Sequence, residues 1–206
     1  MIEALALAPG ATRLVLVRHC EAEIAVGVLC GRLDPPLSPA GRGRAEVLSQ
    51  ALRALPLCAV YASPALRAVA TAEAIAARHG LAVDREVGLL EVDFGALEGL
   101  TWAEAEARYP DVCATWLARP HEVVFPGGEG QGDVAQRAGQ AVDAILARHR
   151  AATVLAVAHA GVNRAVLARA IGAPPGAALR LDQRYGAINV IDCFDDAGSI
   201  VRLMNA

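Results

Sequence analysis

An α/β fold is what the order of signals along this chain predicts: a three-layer α/β/α sandwich around a mostly parallel sheet of about six strands, with a helical lid insertion. Two observations carry that expectation. Strand and helix signals alternate along most of the 206 residues with no repeat or linker between them. The run Thr153-Val154-Leu155-Ala156-Val157-Ala158 has no polar break after its first residue, the mark of a central strand buried on both faces. Against a prior of roughly 150 residues per domain, the length predicts a single domain over 1–206 with an insertion at about 94–126.

The elements follow in order. Residues 13–17 read as a first strand. Ser38-Pro39 then offers an N-cap followed by proline at the first helical position, opening a helix to about Leu55. Residues 57–62 form a second strand, and Ser63-Pro64 repeats the cap signal for a helix ending near Gly80, where glycine suits the position past a helix end. Residues 101–118 are helical, broken at Pro110. After the turn Pro126-Gly127-Gly128-Glu129, residues 133–150 read as a long helix, 153–158 as the central strand and 161–171 as a further helix. Two strands, 187–194 and 199–203, close the chain around the turn Asp195-Asp196-Ala197-Gly198.

Composition removes several classes of function. All 19 basic residues are arginine, against 22 acidic residues, and the net charge is −3. Without lysine there is no Walker-type phosphate-binding amine, no Schiff base and no lysine general base. The acidic balance argues against nucleic acid as a partner. The longest stretches free of charge, 54–66 and 151–163, fall short of the roughly 18 residues of a membrane span, and the N-terminus has no basic residue before Arg13, as a secretory signal would require. Those features predict a cytoplasmic protein with a small-molecule partner and no membrane partner; a homodimer is compatible with them. Five cysteines (Cys20, Cys30, Cys58, Cys113, Cys193) without a C-x-x-C pair, and five scattered histidines, suggest reduced thiols and neither a disulfide framework nor a metal site.

Four segments could carry chemistry. Arg18-His19 ends the first strand, where ligands bind in open α/β sheets. His159 follows the central strand and precedes a helix N-terminus, which favours an anion. Arg67, in Ser63-Pro64-Ala65-Leu66-Arg67-Ala68, lies early in a helix, against the dipole preference of a cation, and so invites an anionic partner. Glu91, Asp93 and Glu98 share an otherwise apolar loop, where burial could raise the pKa of one carboxyl into the range of a proton donor. Each also has an ordinary explanation: a strand-end pair bonded to carbonyls, a capping histidine, a solvated arginine, solvated carboxylates. His79 and His149 read as surface residues.

Taken jointly and in this order, the segments resemble the histidine phosphatase superfamily, the phosphoglycerate mutase-like proteins. Arg18-His19 matches its Arg-His-Gly signature, Ser63–Ala72 its Ser-Pro-x-x-Arg-Ala-x-x-Thr-Ala segment, Glu91–Gly99 its Glu-x-x-x-Gly-x-x-Glu-Gly loop, and His159-Ala160-Gly161 its late histidine. The turn 126–129 is also similar, and the likeness runs from about Arg13 to Leu203. The resemblance implies phosphoryl transfer through a covalent phosphohistidine without cofactor or metal. His19 would be the nucleophile, Glu91 the proton donor, and Arg18, Arg67 and His159 the ligands of the phosphoryl oxygens. Arginine forks and charge stabilisation suit such a reaction. Cys20, Ala22 and Ala25 depart from the family's usual glycine, serine or threonine, and asparagine; Cys20 reads either as an oxidation-sensitive thiol or as a tolerated small side chain.

Within the family, residues 27–38, with Gly31-Arg32-Leu33-Asp34-Pro35-Pro36-Leu37, resemble a stretch of α-ribazole phosphatases. That predicts a phosphomonoester hydrolase acting on α-ribazole 5′-phosphate in cobalamin synthesis. The alternatives are phosphoglycerate mutase-type transfer, a broad-specificity phosphatase, and an inactive binding module. Five of the eight aromatic residues fall in 94–125. Trp102 and Tyr109, seven apart on one helical face, are with Arg32 the expected substrate-pocket residues, unless those aromatics are the core of the lid itself.

Overall fold

The computed structural model describes residues 6–195 and 198–206. Its sheet has six strands: β1 (Thr12–Arg18), β2 (Leu57–Ala62), β3 (Val83–Arg85), β4 (Thr153–Ala158), β5 (Ile188–Phe194) and β6 (Gly198–Leu203), in the spatial order β3-β2-β4-β1-β5-β6. Pairings β3/β2, β2/β4 and β4/β1 are parallel; β5 runs against β1 and β6 against β5. Only β5 is therefore reversed, as the mostly parallel expectation requires. The helices are α1 (Pro39–Leu52), α2 (Leu66–Ala76), α3 (Trp102–Arg108), α4 (Pro110–Ala118), α5 (Gln131–Arg148) and α6 (Ala160–Ala170).

Strand alternation divides the core. Val15, Val17, Leu155 and Val157 pack with Leu48, Leu52, Ala72 and Ile75 of α1 and α2. Leu14, Leu16, Val154 and Ala156 pack on the other face with Val142, Ile145 and Leu167 of α5 and α6. Successive side chains of a strand point to opposite faces, so each central strand feeds both layers and must be apolar throughout.

Several boundaries differ from the sequence expectation. Helix α1 stops at Leu52, because Leu55 precedes Pro56 and is biased out of the helical region. Ser63 does not cap α2: its N–H still bonds Val157 O across the sheet, and Asp34 Oδ1, from a distant loop, accepts the Leu66 N–H at 2.7 Å instead. Strand β3 was not anticipated, since three residues on a sheet edge carry too little pattern to register. His149 is half-buried and bonded to the Tyr61 hydroxyl at 2.9 Å, and His79 is half-buried too, so neither is a plain surface residue. Of the turn predicted at 195–198, Asp196 and Ala197 lie outside the described residues, as does 1–5 of the N-terminal stretch.

Strand β5 carries a buried ion pair. Asp192, with no exposed surface, accepts Arg13 Nε at 2.7 Å and Arg202 Nε at 2.9 Å. Burial pushes its carboxyl up, but the hydrogen bonds from Arg13 and Arg202 outweigh this and hold it below the usual range. Asp192→Ala, which removes the buried carboxylate shared by Arg13 and Arg202, is expected to lower unfolding stability in denaturant by about 3–5 kcal/mol. The contribution in the parent is present above the unfolded pKa of about 4 and is lost as pH falls through the lowered native value.

Candidate active site

The parallel ladder brings the candidate residues together. Arg18 pairs with Ala158 in the β1/β4 register, so the next residues, His19 and His159, emerge side by side at the carboxyl edge of the sheet. The His19 N–H donates to Ala158 O at 2.9 Å, and the two rings meet edge to face with centroids 5.0 Å apart. Ser63 leaves the adjacent β2 in the same way.

The hydrogen bonds assign both tautomers. His19 Nδ1 lies 2.7 Å from Cys20 O, and a carbonyl only accepts, so Nδ1 carries the proton and Nε2 keeps its lone pair. His159 Nδ1 faces Arg67 at 3.3 Å, and a guanidinium only donates, so the His159 proton sits on Nε2 and is given to Ser63 Oγ at 2.8 Å. Burial foremost, then the Arg67 charge, lowers His19 to about 3. Burial, then His19 and Arg67, puts His159 well below its ordinary value. Both rings are neutral at pH 7.

Around them stand Arg18, Arg67 and Glu91. Arg67, 1% exposed, enters at the start of α2 and donates to Leu33 O (2.7 Å) and Gly31 O (3.0 Å). Arg18 donates to Gln183 O at 2.6 Å and stacks over the Tyr185 ring at 3.9 Å, while its buried Nε has no partner among the described residues. Glu91 accepts the Val92 N–H (2.9 Å) and the Gly161 N–H (3.0 Å) at the first turn of α6, where helix donors lack intrahelical acceptors. A β-carbon at Gly161 would stand 2.5 Å from Glu91 Oε1. Gly161→Ala is accordingly expected to displace Glu91 and reduce turnover about tenfold or more at nearly unchanged thermal stability, read by parallel kinetics and melting.

Arg18, His19, Arg67 and Glu91 line one cleft of about 380 Å³, with Phe94, Trp116, Arg164 and Tyr185 farther along its wall. His159 does not line it; with no exposed surface it stands behind His19. The other two loop carboxylates are partly exposed and engaged by backbone N–H groups. Asp93 accepts the Gly95 N–H, and Glu98 gathers the N–H groups of Gly31, Arg32, Leu33 and Phe94, tying the loop that holds Arg67.

Two expectations need correction, and the open reading of Cys20 is decided. Tyr109 follows the end of α3 in non-helical backbone, so the predicted shared helical face is not formed; it and Trp102 pack against the core and do not line the cleft, and the aromatics of 94–125 that do are Phe94 and Trp116. Arg32 points away as well, pairing with Glu129 at 3.3 Å and Asp93 at 3.8 Å. Cys20 is fully buried, and burial raises its thiol to about 11, which leaves a small packing residue and not a reactive thiolate. Ala22 and Ala25 line the cleft with methyl groups, so neither supplies a side-chain donor there.

The match to known proteins agrees with this geometry. Residues 14–206 fit the model of the histidine phosphatase superfamily, branch 1. The chain belongs to that superfamily. As an enzyme it is a phosphatase of this family. It is 36% identical over 161 residues to phosphoserine phosphatase 1 of Hydrogenobacter thermophilus, covering 78% of this chain and 76% of that protein. Other curated relatives, mycobacterial and also 36% identical, are longer, and this chain spans only 54% of their length. Among solved structures, YhfR of Bacillus stearothermophilus superimposes with a TM-score of 0.88 at 32% identity, covering 94% of this chain and 96% of that one. A structure described as a putative alpha-ribazole-5′-P phosphatase from Escherichia coli K-12 gives 0.86 at 27% identity, covering 95% and 97%.

The sequence reading does not single out Tyr185, Gln183 or Arg164. Tyr185 and Gln183 lie in a segment without periodicity before β5, and only the fold brings them under Arg18. Arg164 had a usable signal, since it follows His159 by just over one helical turn.

Proposed function

We propose that the chain hydrolyses small phosphomonoesters through a phosphohistidine formed on His19. The observation that carries this reading is the His19 Nε2 lone pair, freed by the Nδ1 bond to Cys20 O, at the edge of a cleft shared with Arg18, Arg67 and Glu91. Nε2 attacks phosphorus, the ester P–O bond breaks, and protonated Glu91 gives its proton to the departing oxygen. Glu91 then takes a proton from water as that water attacks the phosphohistidine, returning free His19 and inorganic phosphate. Arg18, with its unpartnered Nε, and Arg67 hold the equatorial oxygens. His159 joins them when substrate binding breaks its Nε2–H contact to Ser63 Oγ and opens its ring, buried behind His19 before that, to the cleft.

A 27% identical structural neighbour supports α-ribazole 5′-phosphate. Against it, the segment that suggested this substrate is occupied in holding the site. Gly31 and Leu33 carbonyls bind Arg67, Asp34 caps α2, and Arg32 pairs with Glu129. Residues 94–126 are a cover of one domain, supplying Phe94 and Trp116 to the side of the leaving alcohol. The test is phosphate release, in chelator, from α-ribazole 5′-phosphate, O-phospho-L-serine, 3-phosphoglycerate and an aryl phosphate. Isomer exchange of phosphoglycerate without release would instead mark a mutase, and no His19-dependent turnover of any substrate would sink the reading.

A further inference from the structure

Helix α6 presents Ala160, Gly161 and Arg164 along one face of the cleft, as residues three and four apart on a helix do. Arg164 spends one donor, Nε, on Leu181 O at 2.8 Å. Its two terminal nitrogens make no hydrogen bond to the described residues, pair with no carboxylate among them, and are not buried. Most guanidiniums in and under the site are better engaged: Arg67 is bound to two carbonyls, and Arg137 to Glu129 and three carbonyls. Arg164 is near enough to Arg18 to disfavour its charge.

Charge counting gives this cation a purpose. A phosphoryl dianion faces Arg18 and Arg67, of which Arg67 also has Asp34 at 3.9 Å; the carboxylates lining the cleft are Glu21 and Glu91, the latter held by two backbone N–H groups. The Arg164 guanidinium, open to the same cleft, pairs with none of these carboxylates, and its donor fork is left to a ligand. Resting on the phosphomonoesterase reading above, we propose that Arg164 is a specificity-determining residue: its fork takes a carboxylate carried by the same small molecule whose phosphoryl group faces His19. The favoured class is thus phosphorylated small carboxylic acids. Arginine's planar pair of donors matches a carboxylate bidentately.

The test uses two substrates that differ by the carboxylate alone, O-phospho-L-serine and O-phosphoethanolamine. The parent is expected to favour phosphoserine in kcat/KM by about 10- to 100-fold, the range of a charge-assisted contact, and Arg164→Met to bring the ratio near one. Arg164→Lys, which keeps a point charge without the fork, should restore part of the preference. Equal losses for both substrates in Arg164→Met would make Arg164 a ligand of the transferred phosphoryl and overturn the proposal. So would a parent that shows no preference. Equilibrium binding of the same pair to the His19→Ala protein gives the same comparison without turnover. His19-dependent hydrolysis of an aryl phosphate reports on the phosphatase reading independently of either result.

Discussion

Replacing His19 by alanine is expected to abolish phosphate release from every substrate, by about 10⁴-fold or more, because the variant lacks the atom that accepts the phosphoryl group. The fold should persist: the ring gives up one hydrogen bond, to Cys20 O, while the β1/β4 ladder is made by backbone. A second consequence separates this variant from a misfolded one. Burial and Arg67 lower the folded His19 to about 3, so the unfolded chain, titrating near 6.5, binds a proton that the native state refuses. Stability of the parent therefore falls as pH drops from about 6.5 towards 3, and His19→Ala removes part of that fall. Denaturation across this range, beside kinetics at pH 7, checks both. Near-normal turnover in the variant would end the phosphohistidine mechanism.

Glu91→Gln is expected to slow hydrolysis of alkyl phosphates by about 10²- to 10⁴-fold and of a good-leaving aryl phosphate much less. The amide oxygen can still accept from Gly161 or Val92, so the side chain stays in place while its transferable proton is lost. An alkyl leaving group depends on that proton; an aryl oxide departs without it. In the aryl case dephosphorylation becomes limiting, where the same carboxylate serves as base, and a burst of phenol should precede the steady state. Identical slowing of both classes, without a burst, would show that Glu91 acts only by holding the loop at the start of α6.

Much of the molecule was legible before any coordinate. The strands at 57–62 and 153–158 follow from unbroken apolar runs, and the break at Pro110 from the missing proline N–H. What escaped depended on distant partners. Ser63 looks like the cap of α2, but its hydroxyl receives the His159 proton, and Asp34 takes the capping position from 32 residues away. Trp102 and Tyr109 have a helical spacing, yet α3 ends at Arg108, and spacing alone does not say whether an aromatic meets core or ligand. Glu91, Asp93 and Glu98 are alike as residue types; which one reaches the cleft is set by the N–H groups that engage the others.

The sequence by itself determined the α/β order of elements, the lack of any lysine chemistry, and the cluster of motifs that marks the family, because apolar period, proline placement and residue type are local properties. Tertiary structure alone decided that His19 and His159 stand side by side, which of their nitrogens holds a proton, and that Arg164 lines the cleft with its terminal nitrogens unengaged among the described residues. Each of these depends on strand register and on hydrogen-bond partners more than a hundred residues apart in several cases, and no local pattern encodes such distances.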